Sequence, residues 1–215
     1  MYRREKIFSL FTICLPLAYS DFLSSYIINA SKLSIDKYMN DSYQIAYSAI
    51  YMPNMVINLM SGMIFKPLQT TMASYYNNKQ YKEFFGVIRR IVLFIMLLLG
   101  ICEIGAFLLG IPVLSWLYGL ELEPYRGALL ILLLAGGLNA TNIIFYYVLT
   151  IMRKQRYMML FYSLTTVVAF VSANYLTVKF GIQGAAIAYL LTMLSLNVIL
   201  IVGIGWLFGK EKKNG

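Results

Sequence analysis

Histidine is absent from this 215-residue chain, and cysteine occurs only at positions 14 and 102. With no imidazole and no CxxC pair, the sequence offers no zinc ligand set and no disulfide framework. Cys14 and Cys102 both sit inside apolar runs, where a thiol acts as a small buried side chain. Charge is scarce as well. Only 13% of residues are charged, against about a quarter in soluble domains. Lys and Arg outnumber Asp and Glu by 18 to 9, yet the basic residues fall in short clusters between apolar runs. No continuous basic face forms, and nucleic acid is not expected as a partner. There is no Walker motif, no glycine-rich nucleotide loop and no nucleophile elbow. The carboxylates do not cluster along the chain. We therefore assign no catalytic residue, no metal and no cofactor, and do not expect an enzyme.

What the chain does have is apolar surface. Hydrophobic residues make up 60% of it, and the mean hydropathy is +0.70. A water-soluble fold cannot hide that much. A membrane span needs roughly 20 mostly apolar residues, and six stretches qualify: 7–29, 43–76, 91–117, 125–151, 158–178 and 183–208. The second, third and fourth are longer than one straight span requires; tilt, kinks or extension beyond the membrane absorb such excess. The expected fold class is an all-α integral membrane protein, a single six-helix transmembrane lobe over residues 1–215. The basic start, Met1 to Lys6, resembles a signal peptide, but the apolar run continues to Asn29, so it reads as a retained helix.

The cations alternate with the spans. Arg3, Arg4 and Lys6 precede the first. Lys79, Lys82, Arg89 and Arg90 lie between the second and third, Arg153, Lys154 and Arg156 between the fourth and fifth, and Lys210, Lys212 and Lys213 after the sixth. The other side holds only Lys32, Lys37, Arg126 and Lys179, and Lys66 lies within a span. Basic residues favour the cytoplasmic side, so both termini are expected there. Trp116, Tyr118 and Tyr125 beside one outer loop, and Tyr75 and Tyr76 at an inner end, suit aromatic belts at headgroup depth.

Polar groups are costly in hydrocarbon and normally face a bundle interior or a wet cavity. In the second stretch Tyr43, Tyr47, Tyr51, Asn54, Asn58, Gly62, Lys66 and Gln69 recur every three or four residues, the spacing of one helical face. Ile45, Ile50, Met55, Ile57, Ile64 and Leu68 read as the opposite, apolar face, and Pro53 and Pro67 as points that bend the helix. In the first stretch Asp21, Ser25 and Asn29 are four apart. Glu103, Asn139, Asn142, Thr165, Thr166, Asn174 and Asn197 are the other intramembrane polar groups of note. Two readings stand side by side. Asp21 and Lys66 pair to hold two helices together, or the second helix lines an aqueous cavity. Single asparagines serve interhelical hydrogen bonds more often than ligands. Gly136-Gly137 and Gly184-Ala185-Ala186 with Ala188 read as packing or bending points.

Several segments, in order, carry a likeness. They are Leu15-Pro-Leu-Ala18 to Tyr26-Ile-Ile-Asn29 with Ile35-Asp-Lys37; Met52-Pro53 to Ile57-Asn-Leu59 with Lys66-Pro-Leu68; Gly110-Ile-Pro-Val-Leu-Ser-Trp-Leu-Tyr-Gly119 with Leu149-Thr-Ile-Met-Arg-Lys-Gln155; and Gly181-Ile-Gln-Gly-Ala-Ala-Ile-Ala-Tyr189. Together they resemble the C-terminal half of bacterial polysaccharide and oligosaccharide flippases of the multidrug/oligosaccharidyl-lipid/polysaccharide exporter superfamily. The resemblance implies one lobe of a twelve-helix transporter in the bacterial plasma membrane. Such a transporter flips a polyprenyl-pyrophosphate-linked sugar between leaflets by alternating access. It also implies that a cavity cation meets the pyrophosphate, which makes Lys66 the candidate, with Asn58, Asn54, Tyr51, Tyr47 and Gln69 beside it. Asp21 and Glu103 are candidates for charge pairing or coupling. Six spans make one lobe, so the expectation is a half-transporter or truncated chain. Membrane lipid surrounds it, and a second lobe, another copy or a separate chain, completes it. The competing expectations are half of a drug exporter of the same superfamily, a non-transporting scaffold of a polysaccharide-assembly complex, and a membrane transferase.

Overall fold

A computed structural model describes the backbone of residues 2–214 and the side chains of residues 15–210. Cys14, Arg3, Arg4, Lys6, Lys212 and Lys213 lie outside the described side chains. The chain is 93% helical, with no strand among the described residues. The helices are α1 (Tyr2–Tyr38), α2 (Asp41–Phe65), α3 (Leu68–Asn77), α4 (Tyr81–Gly105), α5 (Ile111–Tyr118), α6 (Arg126–Ile151) and α7 (Gln155–Asn214). Among the described residues, four helices are long and apolar enough to cross a membrane: Asp41–Phe65, Tyr81–Tyr118, Glu123–Ile151 and Gln155–Lys210.

The last of these is not one rod. At Gly181 the backbone takes φ 60° and ψ −139°, a conformation that only glycine adopts freely. The chain doubles back there. Ser172 Oγ lies 3.4 Å from Thr192 Oγ1, and the Tyr157 ring packs edge-on against Trp206 at 5.9 Å. The residue numbers in each contact sum to nearly the same value, the signature of an antiparallel hairpin. We call its arms α7a (155–180) and α7b (182–214). Gly184 makes the close approach feasible, since a Cβ there would run into the Leu176 carbonyl oxygen.

Two joints depart from regular α-helix. The expected second stretch, 43–76, breaks at Lys66-Pro67 into α2 and α3. Pro67 has no amide hydrogen for the Met63 carbonyl, so the α-ladder cannot pass through it. Between α4 and α5, Ala106–Gly110 form a π turn. Pro112 follows two residues later, and it cannot bond to the Leu108 carbonyl; widening that turn relieves the clash its ring would cause.

The core forms around α6. Its Ala128, Leu129, Leu132, Leu133, Ala135, Gly136, Gly137, Ala140 and Ile144 are buried, most of them completely. A helix apolar all round belongs in a protein interior. It contacts α2, α3, α4 and the π turn, as well as α7, while α1 packs mainly on α7. Small residues on α6 form sockets: Gly136 receives Asn54 of α2, Gly137 receives Leu99 of α4, and Gly127 receives Gln183 of α7b. Helix α4 shows the other side of the pattern. Phe84, Ile88, Ile91, Ile95 and Leu99 are buried along one face. Its reverse face is just as apolar, and Leu93, Leu97, Ile101 and Ile104 there are more than half exposed.

Candidate functional site

The polar residues of α2 do not line a cavity together. Asn54 is 0% exposed and Tyr47 2%, and both point into the helix packing. Asn54 Nδ2 donates to the Tyr189 hydroxyl of α7b at 3.3 Å, and its Oδ1 accepts from Asn58 Nδ2 at 2.8 Å. Asn139 Nδ2 of α6 donates to Asn58 Oδ1 at 2.9 Å. The Tyr51 and Tyr189 hydroxyls are 3.2 Å apart. Tyr47 stacks on Tyr51 at 6.1 Å, and Tyr51 meets Tyr189 edge-on at 5.6 Å. One hydrogen-bonded chain thus ties α2, α6 and α7b, and each buried amide finds a partner, as low-dielectric packing requires.

The expected apolar back of α2 is mixed in the same way. Ile50 and Ile57 are fully buried beside Asn54, whereas Ile45 and Met55 are about half exposed. Lys66 belongs to the exposed side. It caps the C-terminus of α2 through its own amide, which donates to the Gly62 carbonyl at 3.0 Å. Its side chain is exposed and forms no ion pair among the described residues. Gln69, half-buried, opens α3 beyond the break.

The structure does not join Asp21 to Lys66. Asp21 Oδ1 instead accepts a hydrogen bond from the Tyr146 hydroxyl of α6 at 2.8 Å. Glu103, half-buried near the end of α4, makes no ion pair among the described residues. The single ion pair there is Arg126–Glu123, at 3.3 Å. The remaining polar groups singled out in the helices bond to partners within the protein. Asn142 Nδ2 donates to the Met193 carbonyl at 3.1 Å, and Asn197 Nδ2 to Thr141 Oγ1 at 2.6 Å. Thr165, Thr166 and Asn174 bond to carbonyls of their own helix. No group of three or more metal-ligating side chains forms among the described residues.

A different face gathers polar groups toward solvent. On α1, Leu15, Ala18, Phe22, Ser25, Asn29, Lys32 and Asp36 are exposed at steps of three or four. On α2 the exposed line is Met52, Met55, Leu59, Met63 and Lys66. Between them lies a recess of about 60 Å³ bounded by Ile28, Asn29, Lys32, Tyr47, Ser48, Tyr51, Met52 and Met55. Tyr47 and Tyr51 are therefore the only expected site residues at this recess. Asn29 belongs to the polar series Asp21, Ser25 and Asn29 of the first stretch, whereas Lys32, Ser48 and the methionines come from a period that polarity alone does not mark. Lys32 and Lys66 bracket the strip. Along α2, Lys66 lies roughly 28 Å from the Tyr47 level at 1.5 Å rise per residue.

Comparison with protein-family models, curated proteins and solved structures finds no match.

Proposed function

We propose that this chain is a multi-pass membrane protein with six crossings: α1, α2, α4 with α5, α6, α7a and α7b. We propose further that it forms one lobe of a transporter that flips a polyprenyl-pyrophosphate-linked oligosaccharide across the bacterial plasma membrane, with both termini cytoplasmic. The observation that carries the transport reading is the exposed α1–α2 strip. Ser25, Asn29, Lys32 and Lys66 sit on it, flanked by a chain of apolar residues. Against lipid such a strip is unfavourable; across from a second lobe it becomes one wall of an amphipathic cavity. The sequence resemblance supplies the substrate class. In this reading Lys66 and Lys32 meet anionic groups as point charges, Asn29 and Ser48 offer hydrogen bonds to sugar hydroxyls, and the methionines provide an adaptable apolar surface. The second lobe is another copy or a separate chain.

The membrane part of the reading is supported by the apolar outer faces of α4, α5 and α7a, and by the position of the aromatics. Trp116 is 85% exposed at the outer end, while Tyr76, Tyr81, Phe85 and Phe208 cluster at the inner end. Lys179 lies over Phe180 and Lys210 over Trp206, each at 5.3 Å, as expected of cations snorkelling to headgroups.

The test is deletion of the gene in its source cells, followed by analysis of lipid-linked sugars. Accumulation of intermediates that wild-type protein clears and Lys66→Ala clears poorly supports the flippase. Unchanged intermediates with new drug sensitivity would favour a drug exporter. A second reading, a non-transporting scaffold, is favoured by the hydrogen bonding of Asn54, Asn58, Asn139 and Tyr189 to one another, which commits their amide nitrogens to the helix packing. It predicts that Lys66→Ala and Lys32→Ala are both silent.

A further inference from the structure

Next to the α1 recess, and sharing Met52 and Met55 with it, a groove of about 640 Å³ runs between α2 and the α4–α5 joint. Its walls include Met52, Met55 and Leu59 of α2, Cys102 and Gly105 of α4, and Leu129 of α6. The π turn forms much of its floor. Gly105 carries no side chain, and a Cβ there would meet nothing within 4 Å, so the groove is open where a larger residue would fill it. Tyr118 stands at one end and Cys102 at the other. Sixteen residues of helix separate them, roughly 24 Å, which exceeds the depth of one leaflet of a 30 Å hydrocarbon core, about 15 Å.

From this geometry we infer that the groove seats a hydrocarbon chain of an anionic phospholipid from the outer leaflet, with the phosphate held at Arg126. The inference rests on the membrane reading above but not on transport. Three observations select the occupant. The helix surfaces beside the groove expose Ile101, Ile104, Leu108 and Leu117, so whatever enters comes from the same apolar phase. Tyr118 places one end of the groove at the outer interface. And Arg126 lies one helical turn beyond Leu129 on the same face of α6. One of its terminal nitrogens is held by Glu123, but Nε is buried with no hydrogen-bond acceptor. The Arg126 side chain is 40% exposed, so its terminal nitrogens are open to a phosphate oxygen, and the net negative charge of an anionic headgroup adds an attraction that a zwitterionic or uncharged lipid or a neighbouring apolar helix lacks.

The experiment uses the full chain in phosphatidylcholine vesicles doped with phosphatidylglycerol that carries a diazirine in its acyl chain. Irradiation and peptide mapping should place adducts on 52–59 and 102–118. Gly105→Phe should lower them roughly tenfold, equivalent to about 1.4 kcal/mol, and Val113→Trp, a second filling change, should act likewise. Ile104→Phe, one residue away and outside the groove, should leave them unchanged. Arg126→Gln should remove the preference for the phosphatidylglycerol probe over the matching phosphatidylcholine probe. Adducts spread evenly over Phe107, Leu108 and Phe170, or indifferent to both filling changes, would overturn the groove as a site and leave the membrane reading standing. Absence of adducts anywhere would overturn the inference and the membrane reading together.

Discussion

Asn54 shows how much of the packing turns on a single side chain. It is fully buried, donates to Tyr189, accepts from Asn58, and fills the socket left by Gly136. Asn54→Ala takes one hydrogen bond each from Tyr189, which keeps the Tyr51 hydroxyl, and from Asn58, which keeps the backbone carbonyl of residue 54, a cost of about 0.5–1.5 kcal/mol per bond, to be read as a lower thermal midpoint in mild detergent. Gly136→Ala drives a methyl group into the Asn54 side-chain oxygen, which costs about 1–3 kcal/mol by overpacking. In the double variant the collision disappears with the Asn54 amide, because the nearest remaining atom, the Asn54 Cβ, stands 3.4 Å away. The two losses should therefore fall short of adding, by about 0.5–3 kcal/mol. Strict additivity would mean that the two residues are not in contact. Sequence spacing marked Asn54 and Asn58 as a pair on one face, and that is visible in their mutual hydrogen bond. It could not mark Tyr189 or Gly136 as their partners, because a socket is defined by the helix that fills it.

Among the elements, α2 explains why the polar stripe and the site part company. Each step of four residues overshoots a full turn by about 40°. Repeated steps therefore swing the stripe, and Lys66 ends about 120° from Asn54 around the axis. Asn54 points inward, and Lys66 emerges beside Met55 and Leu59. Reading every third or fourth polar residue as one face joined two faces. Helix content and the apolar stretches were legible, because composition and length suffice for them. The break at Lys66-Pro67 was half legible, since Pro67 suggested a bend. The π turn was not, because it depends on how Pro112 is accommodated. The hairpin turn was, since the stretches 158–178 and 183–208 leave it between them, but the backbone angle at Gly181 that makes it was not. That angle gives a test. Gly181→Ala places a side chain in a conformation that L-residues avoid, at a cost of about 1–3 kcal/mol, and should lower the thermal midpoint. Gly119→Ala sits at φ 63°, ψ 28°, the left-handed region that a side chain enters at lower cost, and should destabilise less. Gly184→Leu should also destabilise, because its side chain would strike the Leu176 carbonyl within the same chain. That variant accordingly reports on the hairpin and does not separate a scaffold from a transporter.

The whole molecule presents two unlike exposed surfaces, which a membrane would distinguish. One is uniformly apolar: Ile101, Ile104 and Leu108 at the π-turn joint, and Val167, Phe170 and Val171 on α7a. The other is the α1–α2 strip, where Ser25, Asn29 and Lys32 interrupt the apolar line. If the strip borders an aqueous cavity, single cysteines at Ser25, Asn29 and Ser48 should react with a membrane-impermeant maleimide. Cysteines at Ile104 and Val171 should not, because a thiol reacts as the thiolate and hydrocarbon suppresses that form. The background is the chain with Cys14 and Cys102 replaced by alanine, in its native membrane. A rate contrast of roughly tenfold or more corresponds to at least about 1.4 kcal/mol of difference in thiolate access. Adding excess lipid-linked oligosaccharide should slow labelling at Asn29 and Ser48, which border the recess, and leave Ser25, two turns or less away but outside it, nearly unaffected. Equal silence at all five positions would place the strip against lipid or against a tightly packed partner, and the transport reading would fall in favour of the scaffold. Equal reactivity at all five would place the apolar faces in water and remove the premise that the chain spans a bilayer.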